Sequence, residues 1–492
     1  MPLADGARAR TMPAVTHAPA PRTAAPDLTL SGGKPASLAG RIAWTFFEFG
    51  GGPYFVCVQI FVFAPYFANH VMVGDPITGQ AYWGYAGGVA GLLIALMSPL
   101  VGAIADKYGP RKPGIVTFTL AAIPFMGLLW FAEPGEVWLA ALCIVFASFF
   151  FELAYIFHNA MLPAVAPANR IGILSAAGYA MSYAGAILAF LIWLALPAFG
   201  IGGEAASDFA QARASGPLAM AFAIVFVIPL LVLTPDTARS GQSLTGCATA
   251  GARSLLRTLR KLGAYRNIGL FLVARMIYYD GLVAVFAFVG IYAATTFGWT
   301  SELSGIYGLL IIITAAFSAV LGGLVDDRIG SRLTILGALS VFSLALAANL
   351  GTNPGQVAYF IALTPQQAAM QIPGLGALLG PIGFTTLPEQ IFVLVGITGG
   401  IFIGPALSSS RTLMARLAPP GQVAEFFGLY NLTGRATAFL APTTIGLMTQ
   451  ISGDQRSGLG VIFIFIGIGF TLLLFVREPA RTAPAHLSPT IP

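Results

Sequence analysis

The chain has 492 residues, of which 57% are hydrophobic and only 9% are charged, and its mean hydropathy is +0.82. These values exclude an ordinary soluble domain, in which about a quarter of the residues are charged, and they predict a protein with many membrane spans. The net charge of +6 does not indicate nucleic-acid binding, because the basic residues gather in connections between apolar segments, as in the cytosolic loops of membrane proteins.

Residues 1–40 are rich in Ala, Pro and Arg and lack the short apolar core of a secretory signal. A segment of this composition does not bury enough apolar surface to offset the entropy that folding costs. We therefore predict a disordered cytosolic tail over 1–40, and a second short cytosolic tail over 478–492.

Twelve long apolar segments lie between these tails. A helix needs about 20 apolar residues to cross a bilayer, and each segment is close to that length or longer. The segments are continuous rather than alternating in polarity, so they predict helices and not strands. The predicted spans are 42–70, 81–105, 113–132, 136–161, 172–198, 216–234, 266–296, 302–325, 332–350, 387–412, 424–450 and 458–476.

The basic residues indicate the orientation of the chain. If both termini are cytosolic, nearly all Lys and Arg residues outside the apolar segments lie in cytosolic connections, and the outer loops hold only Arg213 and Arg456. Because cytosolic loops of membrane proteins carry the excess of Lys and Arg, we predict that both termini face the cytosol.

The first span contains an acid, Glu48, shortly before Gly50–Gly52 and Pro53. Glycine and proline loosen or kink a helix, and the backbone groups that a kink frees need protein or water partners. This pattern predicts a cavity beside Glu48. The alternative is an acid at the cytosolic interface, because Glu48 follows Arg41 by seven residues, roughly 10 Å along a helix.

One short stretch occurs twice, each time between the second and third spans of its half. Gly102–Lys112 reads GAIADKYGPRK, and Gly323–Arg332 reads GLVDDRIGSR. Such a repeat predicts two related helical bundles in tandem, an arrangement typical of transporters. We assign the matching residues as a candidate conformational gate: Gly102, Asp106, Lys107, Gly109 and Arg111, with Gly323, Asp327, Arg328, Gly330 and Arg332.

The fourth span holds Glu152, Tyr155 and Asn159, and offsets of three and seven place these residues on one helical face. A polar stripe in a membrane helix is expected to face the interior of the bundle. His158 lies off the stripe. We interpret it as a hydrogen-bonded packing residue rather than a proton carrier, although imidazole titrates in the useful range.

Two connections are longer than the others. The connector 236–265 interleaves Arg and Lys with Leu, which indicates either a basic amphipathic helix on the inner leaflet or an ordinary solvated charge run. The outer connection 351–386 is apolar but rich in Pro, Gly and Gln. Its length is unusual for a compact bundle, and we expect it to cap the outer mouth or to dip into the membrane interface.

The seventh span carries Arg275, Tyr279 and Asp280. Arg275 and Tyr279 are one turn apart and share a face, whereas Asp280 is offset around the helix, so each charge is expected to find its partner on another helix. Asn431 and Arg435 of the eleventh span are four residues apart and also share a face. Ionisable groups inside membrane segments mark solute and ion pathways, and we assign all five residues as candidates for solute binding or coupling, together with Glu48, Glu152, Tyr155 and Asn159.

The repeated stretch resembles the signature of the major facilitator superfamily, which reads Gly-x-x-x-Asp-Arg/Lys-x-Gly-x-Arg/Lys between the second and third helices. The resemblance implies an all-α membrane fold with twelve transmembrane helices in two pseudo-symmetric six-helix bundles. We expect these bundles over 41–235 and 266–477, joined by the cytosolic connector 236–265.

The later spans are similar to one branch of that superfamily, the vacuolar amino-acid effluxer-like transporters, which include many bacterial members. The similarity is carried by Ala406–Ser408, Ser410–Leu413 and Glu425–Asn431, and by Tyr278 and Asp280 in the seventh span. It implies export of an amino-acid-like solute across a bacterial inner membrane.

The charges inside the spans favour a secondary transporter that moves a small polar solute by alternating access, because charged side chains in lipid are costly and are retained where they serve a pathway. Arg275 or Arg435 would hold a carboxylate or phosphate of the solute. Glu48, Glu152 or Asp280 would carry a proton, since burial opposes ionisation of a carboxyl group.

Other functions are considered as alternatives. A transporter-fold sensor or scaffold without flux would need an interaction module, and an exporter of an amphipathic compound or drug would use the same fold. An enzyme is not expected, because the sequence has no nucleotide loop, metal cluster or nucleophile motif. We expect no catalytic residue, cofactor, metal or nucleic-acid partner, and we expect a monomer that contacts lipid, its solute and protons.

Overall fold

The computed structural model describes residues 28–29, 33–167, 171–201, 209–239, 243, 246, 265–418, 426, 429–430, 433–434 and 436–478. Its main helices fall at the twelve predicted places. They are α1 Leu38–Val71, α2 Pro76–Lys107, α3 Lys112–Leu128, α4 Val137–Val165, α5 Ile171–Ala195, α6 Ser215–Leu233, α7 Arg266–Phe297, α8 Ser301–Ile329, α9 Ser331–Leu350, α10 Leu387–Leu417, α11 Leu440–Ser452 and α12 Gln455–Leu474.

Ten of these helices, all except α8 and α11, are long and apolar enough within the described residues to cross a membrane. The predicted all-α membrane fold is therefore confirmed, and the count of twelve spans is consistent with the structure without being established by it. Helix α1 begins at Leu38, inside the predicted tail 1–40, where the Ser37 hydroxyl accepts a hydrogen bond from the Gly40 N–H at 3.1 Å. Residues 1–27 and 30–32 of that tail, most of the connector 236–265 and residues 479–492 lie outside the described residues.

Helix α1 changes its winding directly after the glycines and proline that the sequence singled out. It is α-helical to Pro53 and π-helical over Tyr54–Phe61 and again over Phe67–Val71. A π-helical turn is rare and often lies at a functional site. The first π-helical stretch begins directly after Pro53 and the second begins two residues after Pro65, and a proline nitrogen donates no hydrogen bond within a helix.

The helices pack in two sets that follow the order of the chain. In the first, α1 packs on α5 and α6, and α4 packs on α2 and α3. In the second, α10 packs on α8 and α9, and α12 packs on α7 and α11. This pattern agrees with the predicted pair of bundles.

The two sets meet most closely between α2 and α11, near the predicted outer surface. A Cβ atom on Gly84 would lie 2.6 Å from the Pro442 carbonyl oxygen, so glycine is needed for the close approach of the two backbones. The Gln80 amide donates a hydrogen bond to the Thr449 hydroxyl at 2.9 Å. These contacts hold together the ends of the two sets that are predicted to face outward.

The outer connection after α9 is folded. Gln356–Val357 (β1) and Ile361–Ala362 (β2) form a short antiparallel hairpin, and Pro365–Ala368 and Leu375–Leu379 are short helices. Gln390 of α10 fastens the segment, because its amide accepts from the Ile372 N–H at 2.8 Å and donates to the Phe384 carbonyl at 3.0 Å. The segment therefore packs on α10 of its own set.

Candidate functional site

Helix α1 places Glu48 beside α4 and α5. The Tyr155 hydroxyl of α4 donates a hydrogen bond to the Glu48 carboxylate. A Cβ on Gly51 would fall on that hydroxyl, and a Cβ on Gly178 of α5 would lie 3.4 Å from Glu48 Cγ. The glycines therefore let the carboxylate sit in a narrow space between three helices, where 13% of its side chain remains exposed.

His158 of α4 lies on the other side of the same carboxylate. Its ring is fully buried between the rings of Trp44, at 4.3 Å, and Phe47, at 4.6 Å. His158 Nε2 lies 3.0 Å from the Trp44 carbonyl oxygen, and Nδ1 lies 3.6 Å from Glu48 Oε1. The histidine is a packed residue, as the sequence predicted, and it also faces the acid of the first span.

Groups from both sets of helices surround one region. Glu152 of α4 acts electrostatically on Tyr155 of its own helix and on Tyr279 of α7. Tyr279 also lies within electrostatic range of Tyr179 on α5, and the Arg411 guanidinium of α10 lies 5.7 Å from the Tyr179 ring. The structure thus brings candidate residues of the fourth and seventh spans to a shared region.

Arg275 of α7 is buried between aromatic rings. Its guanidinium carbon lies 3.5 Å from the centre of the Tyr430 ring and 4.7 Å from that of Tyr279. Arg275 Nη1 donates to the Tyr430 carbonyl at 2.8 Å and to the Thr433 hydroxyl at 3.2 Å. Its Nε–H is buried and has no hydrogen-bond partner among the described residues.

Asp280, five residues further along α7, does not pair with Arg275. Its carboxylate is buried beside Thr437, and Oδ2 has no hydrogen-bond partner within the described part of the chain. The neighbouring Tyr278 hydroxyl forms a 2.6 Å hydrogen bond with the Ser410 hydroxyl of α10. Asp280 is therefore a second buried carboxylate, on a different face of α7 from the arginine.

Three predicted candidates are not brought to this region by the described contacts. Asn159 is exposed, one residue beyond His158 and outside the Glu48 contacts. Asn431 and Arg435 lie outside the described residues, so their roles remain predictions.

At the predicted cytosolic end of α3, an aspartate that follows α6 caps the helix. The Asp236 carboxylate accepts from the backbone N–H groups of Arg111, at 2.9 Å, and Lys112, at 3.1 Å. The Lys112 ammonium donates to the Leu231 carbonyl at the end of α6, at 2.7 Å. A carboxylate is favoured at a helix N-terminus, where it meets unpaired N–H groups and the positive end of the helix dipole.

An equivalent corner lies at the start of α9. The Glu478 carboxylate accepts from the N–H groups of Ser331, at 3.1 Å, and Arg332, at 2.9 Å. Arg332 Nε donates to the Leu473 carbonyl at 3.2 Å, and Arg416 donates to Glu478 at 2.7 Å. Burial alone would raise the pKa of Glu478, but the Arg332 N–H, the Arg416 side chain and the Ser331 N–H together hold that pKa below its usual value of 4.5.

The repeated stretches support these corners with glycine. Gly109 and Gly330 have φ angles of 108° and 102°, a backbone region that favours glycine. A Cβ on Gly109 would meet the Ala238 carbonyl beside the Asp236 cap. Gly102 packs toward Ile156, and Arg328 is exposed. The side-chain environment of the other gate candidates lies outside the described part: Asp106, Lys107, Gly323 and Asp327.

Several residues around these sites had no clear signal in the sequence. Trp44 and Tyr430 look like ordinary aromatic residues of apolar segments. Asp236 and Glu478 stand in the sequence as loop charges, and each lies three or four residues after the sixth helix of its half. Asp326, next to the predicted Asp327, is buried and lies 3.5 Å from Arg416.

The chain has relatives of known family. The family model described as "Vacuole effluxer Atg22 like" matches residues 68–483. An uncharacterized MFS-type transporter of Bacillus subtilis (strain 168), YxiO, is 24% identical over 451 residues, which cover 89% of this chain and 95% of that protein. Autophagy-related protein 22 of Cryptococcus neoformans is 27% identical over 209 residues, 42% of this chain and 33% of that protein.

Solved structures agree on the fold. A D-xylose–proton symporter superposes with a TM-score of 0.61 at 14% identity and covers 89% of this chain and 96% of its own. The nucleoside transporter NupG superposes with a TM-score of 0.55 at 13% identity, over 89% of this chain and 97% of its own. The chain therefore belongs to the vacuole effluxer Atg22-like family, and it is a multi-pass membrane protein with the major facilitator fold of transporters rather than an enzyme.

Proposed function

We propose that the chain is a secondary active transporter that moves a small carboxylate-bearing solute, such as an amino acid, by proton-coupled alternating access. The position of Arg275 carries the proposal. Its guanidinium is buried between two tyrosine rings, and its Nε–H has no hydrogen-bond partner among the described residues. A buried guanidinium with an unused donor is costly, and a carboxylate is the planar anion that fits its fork.

The charge on the facing helices supports an amino-acid-like solute. Glu152 of α4 lies close enough to act on Tyr279, whose ring stacks on Arg275. A solute with a carboxylate at Arg275 would therefore have an anionic side chain opposite, and an ammonium group would complement it. Tyrosine rings beside both charges would exclude water from the bound solute.

The repeated architecture supports alternating access. We propose that 41–235 and 266–477 act as two bundles, with both termini in the cytosol of a bacterial cell. The packed outer ends of α2 and α11 would separate as the inner ends approach. The capped corners at Asp236 and Glu478 would keep each bundle rigid while the bundles rock about the central site.

The test uses purified full-length protein in liposomes loaded with the pH-sensitive dye pyranine. Each of the common amino acids is added outside, and uptake of the radiolabelled solute is measured in parallel with lumenal pH. We expect at least one amino acid to drive both signals, and Arg275→Ala to abolish them. Arg456→Ala is the control, because Arg456 binds the Tyr292 hydroxyl at 3.1 Å in the outer part of the protein.

Other outcomes would contradict the role of Arg275 or favour a different function. Full activity of Arg275→Ala would remove Arg275 from the binding site, and the same comparison with Arg435→Ala would test the second arginine. Flux of amphipathic drugs but of no amino acid would indicate a drug exporter. A stable cytosolic partner without any flux would indicate a sensor or scaffold.

A further inference from the structure

We propose that Glu48 and His158 form one proton-binding site, which holds a single proton on either Glu48 Oε1 or His158 Nδ1 across the contact of α1 with α4. The use of this site for coupling rests on the proposed transport function. The existence of the site does not, because it follows from the geometry of two buried side chains.

His158 Nε2 donates a hydrogen bond to a backbone carbonyl. This nitrogen lies 3.0 Å from the Trp44 carbonyl oxygen, and a carbonyl only accepts hydrogen bonds. His158 Nε2 therefore carries a hydrogen whether the ring is neutral or cationic. The Trp44 indole N–H donates in return to the His158 carbonyl at 3.2 Å, so the two helices are tied together on both sides of the ring.

The other ring nitrogen, Nδ1, is the one at which the ring is protonated. Because Nε2 always carries a hydrogen, the ring gains or loses its proton at Nδ1. His158 Nδ1 is buried, makes no hydrogen bond with the described residues, and lies 3.6 Å from Glu48 Oε1. The ring is packed between Trp44 and Phe47, so it has little freedom to turn away. Nδ1 therefore faces the Glu48 carboxyl, and the Tyr155 ring lies 6.0 Å from the His158 ring.

The number of protons bound to the pair determines its net charge. With one proton, either the carboxylic acid faces the neutral imidazole or the imidazolium faces the carboxylate, and the pair has no net charge in either case. With no proton, a lone pair faces a carboxylate and the pair carries a buried negative charge. With two protons, the Nδ1–H group of His158 faces the carboxylic O–H group of Glu48, and the pair carries a buried positive charge. Burial of net charge is costly, so the pair favours one proton.

Groups on α4 and α5 surround the Glu48–His158 pair. The Tyr155 hydroxyl donates a hydrogen bond to Glu48, and Glu152 lies one helical turn before Tyr155 on α4. Helix α5 meets Glu48 through Gly178, the residue before Tyr179. His158 is fully buried, whereas 13% of the Glu48 side chain is exposed. A proton from water therefore enters and leaves on the Glu48 side, and no bond other than that to the proton forms or breaks.

Infrared spectroscopy of the reconstituted full-length protein across a pH series tests the site directly. The carboxylic C=O band that disappears in Glu48→Gln reports the Glu48 proton. In His158→Gln, whose amide can still donate to the Trp44 carbonyl, we expect that band to shift or its midpoint to move by about one pH unit or more. His70→Gln is the matched control, because His70 is an exposed histidine of α1 far from Glu48.

The same midpoint and band position in His158→Gln as in the unsubstituted protein would overturn the proposal. Glu48→Asp is a second test that keeps the acid but withdraws it from Nδ1, and it is expected to move the midpoint as well. If a transported amino acid is found, His158→Gln should reduce proton-driven uptake about tenfold, a change of about 1.4 kcal/mol, and preserve exchange of that amino acid. Absence of any transport would refute the proposed function, while the infrared result would still decide the proton site.

Discussion

Asp236 and Glu478 make the same contact in the two halves of the protein. Each follows the last helix of its half, and each carboxylate accepts two consecutive backbone N–H groups at the start of the third helix. The basic residue beside each cap, Lys112 or Arg332, donates to the carbonyl five positions before the acid. This pairing closes the corresponding corner of each half, at Arg111 and Lys112 in the first and, one position earlier in the repeated stretch, at Ser331 and Arg332 in the second.

Removal of either capping carboxylate should destabilise the protein. We expect Glu478→Ala and Asp236→Ala each to lower the free energy of unfolding by about 0.5–2 kcal/mol, the range for a lost helix cap. Thermal unfolding of the purified protein in detergent measures this change. Glu136→Ala is the matched control, because Glu136 is the N-cap residue of α4 but forms no side-chain cap hydrogen bond. Equal stability of Glu478→Ala and Glu136→Ala would show that the cap contributes nothing.

The stabilisation of the folded protein by the Glu478 cap should also depend on pH. The folded structure lowers the pKa of this carboxyl below its usual value of 4.5, because the Arg332 and Ser331 N–H groups and Arg416 outweigh the effect of burial. A lowered pKa means that the stabilisation is present above pH 4.5 and is lost as the pH falls through the folded pKa. The difference in melting temperature between the unsubstituted protein and Glu478→Gln should therefore be constant near neutrality and shrink below about pH 4.5. A difference that grows on acidification would contradict this sign.

We expect Tyr279 to contribute to solute binding through its ring rather than through its hydroxyl group. The Arg275 guanidinium lies 4.7 Å from the ring centre, and such a desolvated contact contributes about 0.5–2 kcal/mol. We expect Tyr279→Phe to keep solute affinity within about twofold, and Tyr279→Leu to weaken it by about three- to thirtyfold. Solute affinity is measured by thermal shift and by the KM of uptake. Equal weakening in both variants would assign the role to the hydroxyl.

Gly51 should tolerate no side chain while Tyr155 is present. A Cβ at this position would fall on the Tyr155 hydroxyl, and overpacking of this kind costs about 1–3 kcal/mol. We expect Gly51→Ala to be destabilised, and the double variant Gly51→Ala/Tyr155→Phe to recover part of the loss because the clashing oxygen is gone. Chemical and thermal unfolding of the four proteins of this cycle measure the coupling.

Gly337→Ala is the control for that cycle. Gly337 lies inside α9, and a Cβ there would meet nothing within 4 Å. Alanine is a better helix former than glycine by about 1 kcal/mol, so this variant should be as stable as the unsubstituted protein or more so. A destabilised Gly337→Ala, or a double variant with no recovery, would show that backbone flexibility and not the clash governs Gly51.

The local features of the sequence predicted the fold well. Apolar runs of about 20 residues place the helices because each backbone in lipid must satisfy its own hydrogen bonds. Gly50–Gly52 and Pro53, close after Glu48, predicted the irregular first helix. The repeated signature and the similarity of the later spans also identified the family before any helix was placed in space.

The tertiary structure alone decided which side chains meet. His158 and Glu48 are 110 positions apart, and the Tyr430 carbonyl that holds Arg275 is a backbone group with no sequence signal at all. The reason is physical. Hydropathy and helix-breaking residues act within one helix, so they can be read along the chain, whereas a contact between two helices depends on the rotation, depth and separation at which both helices pack.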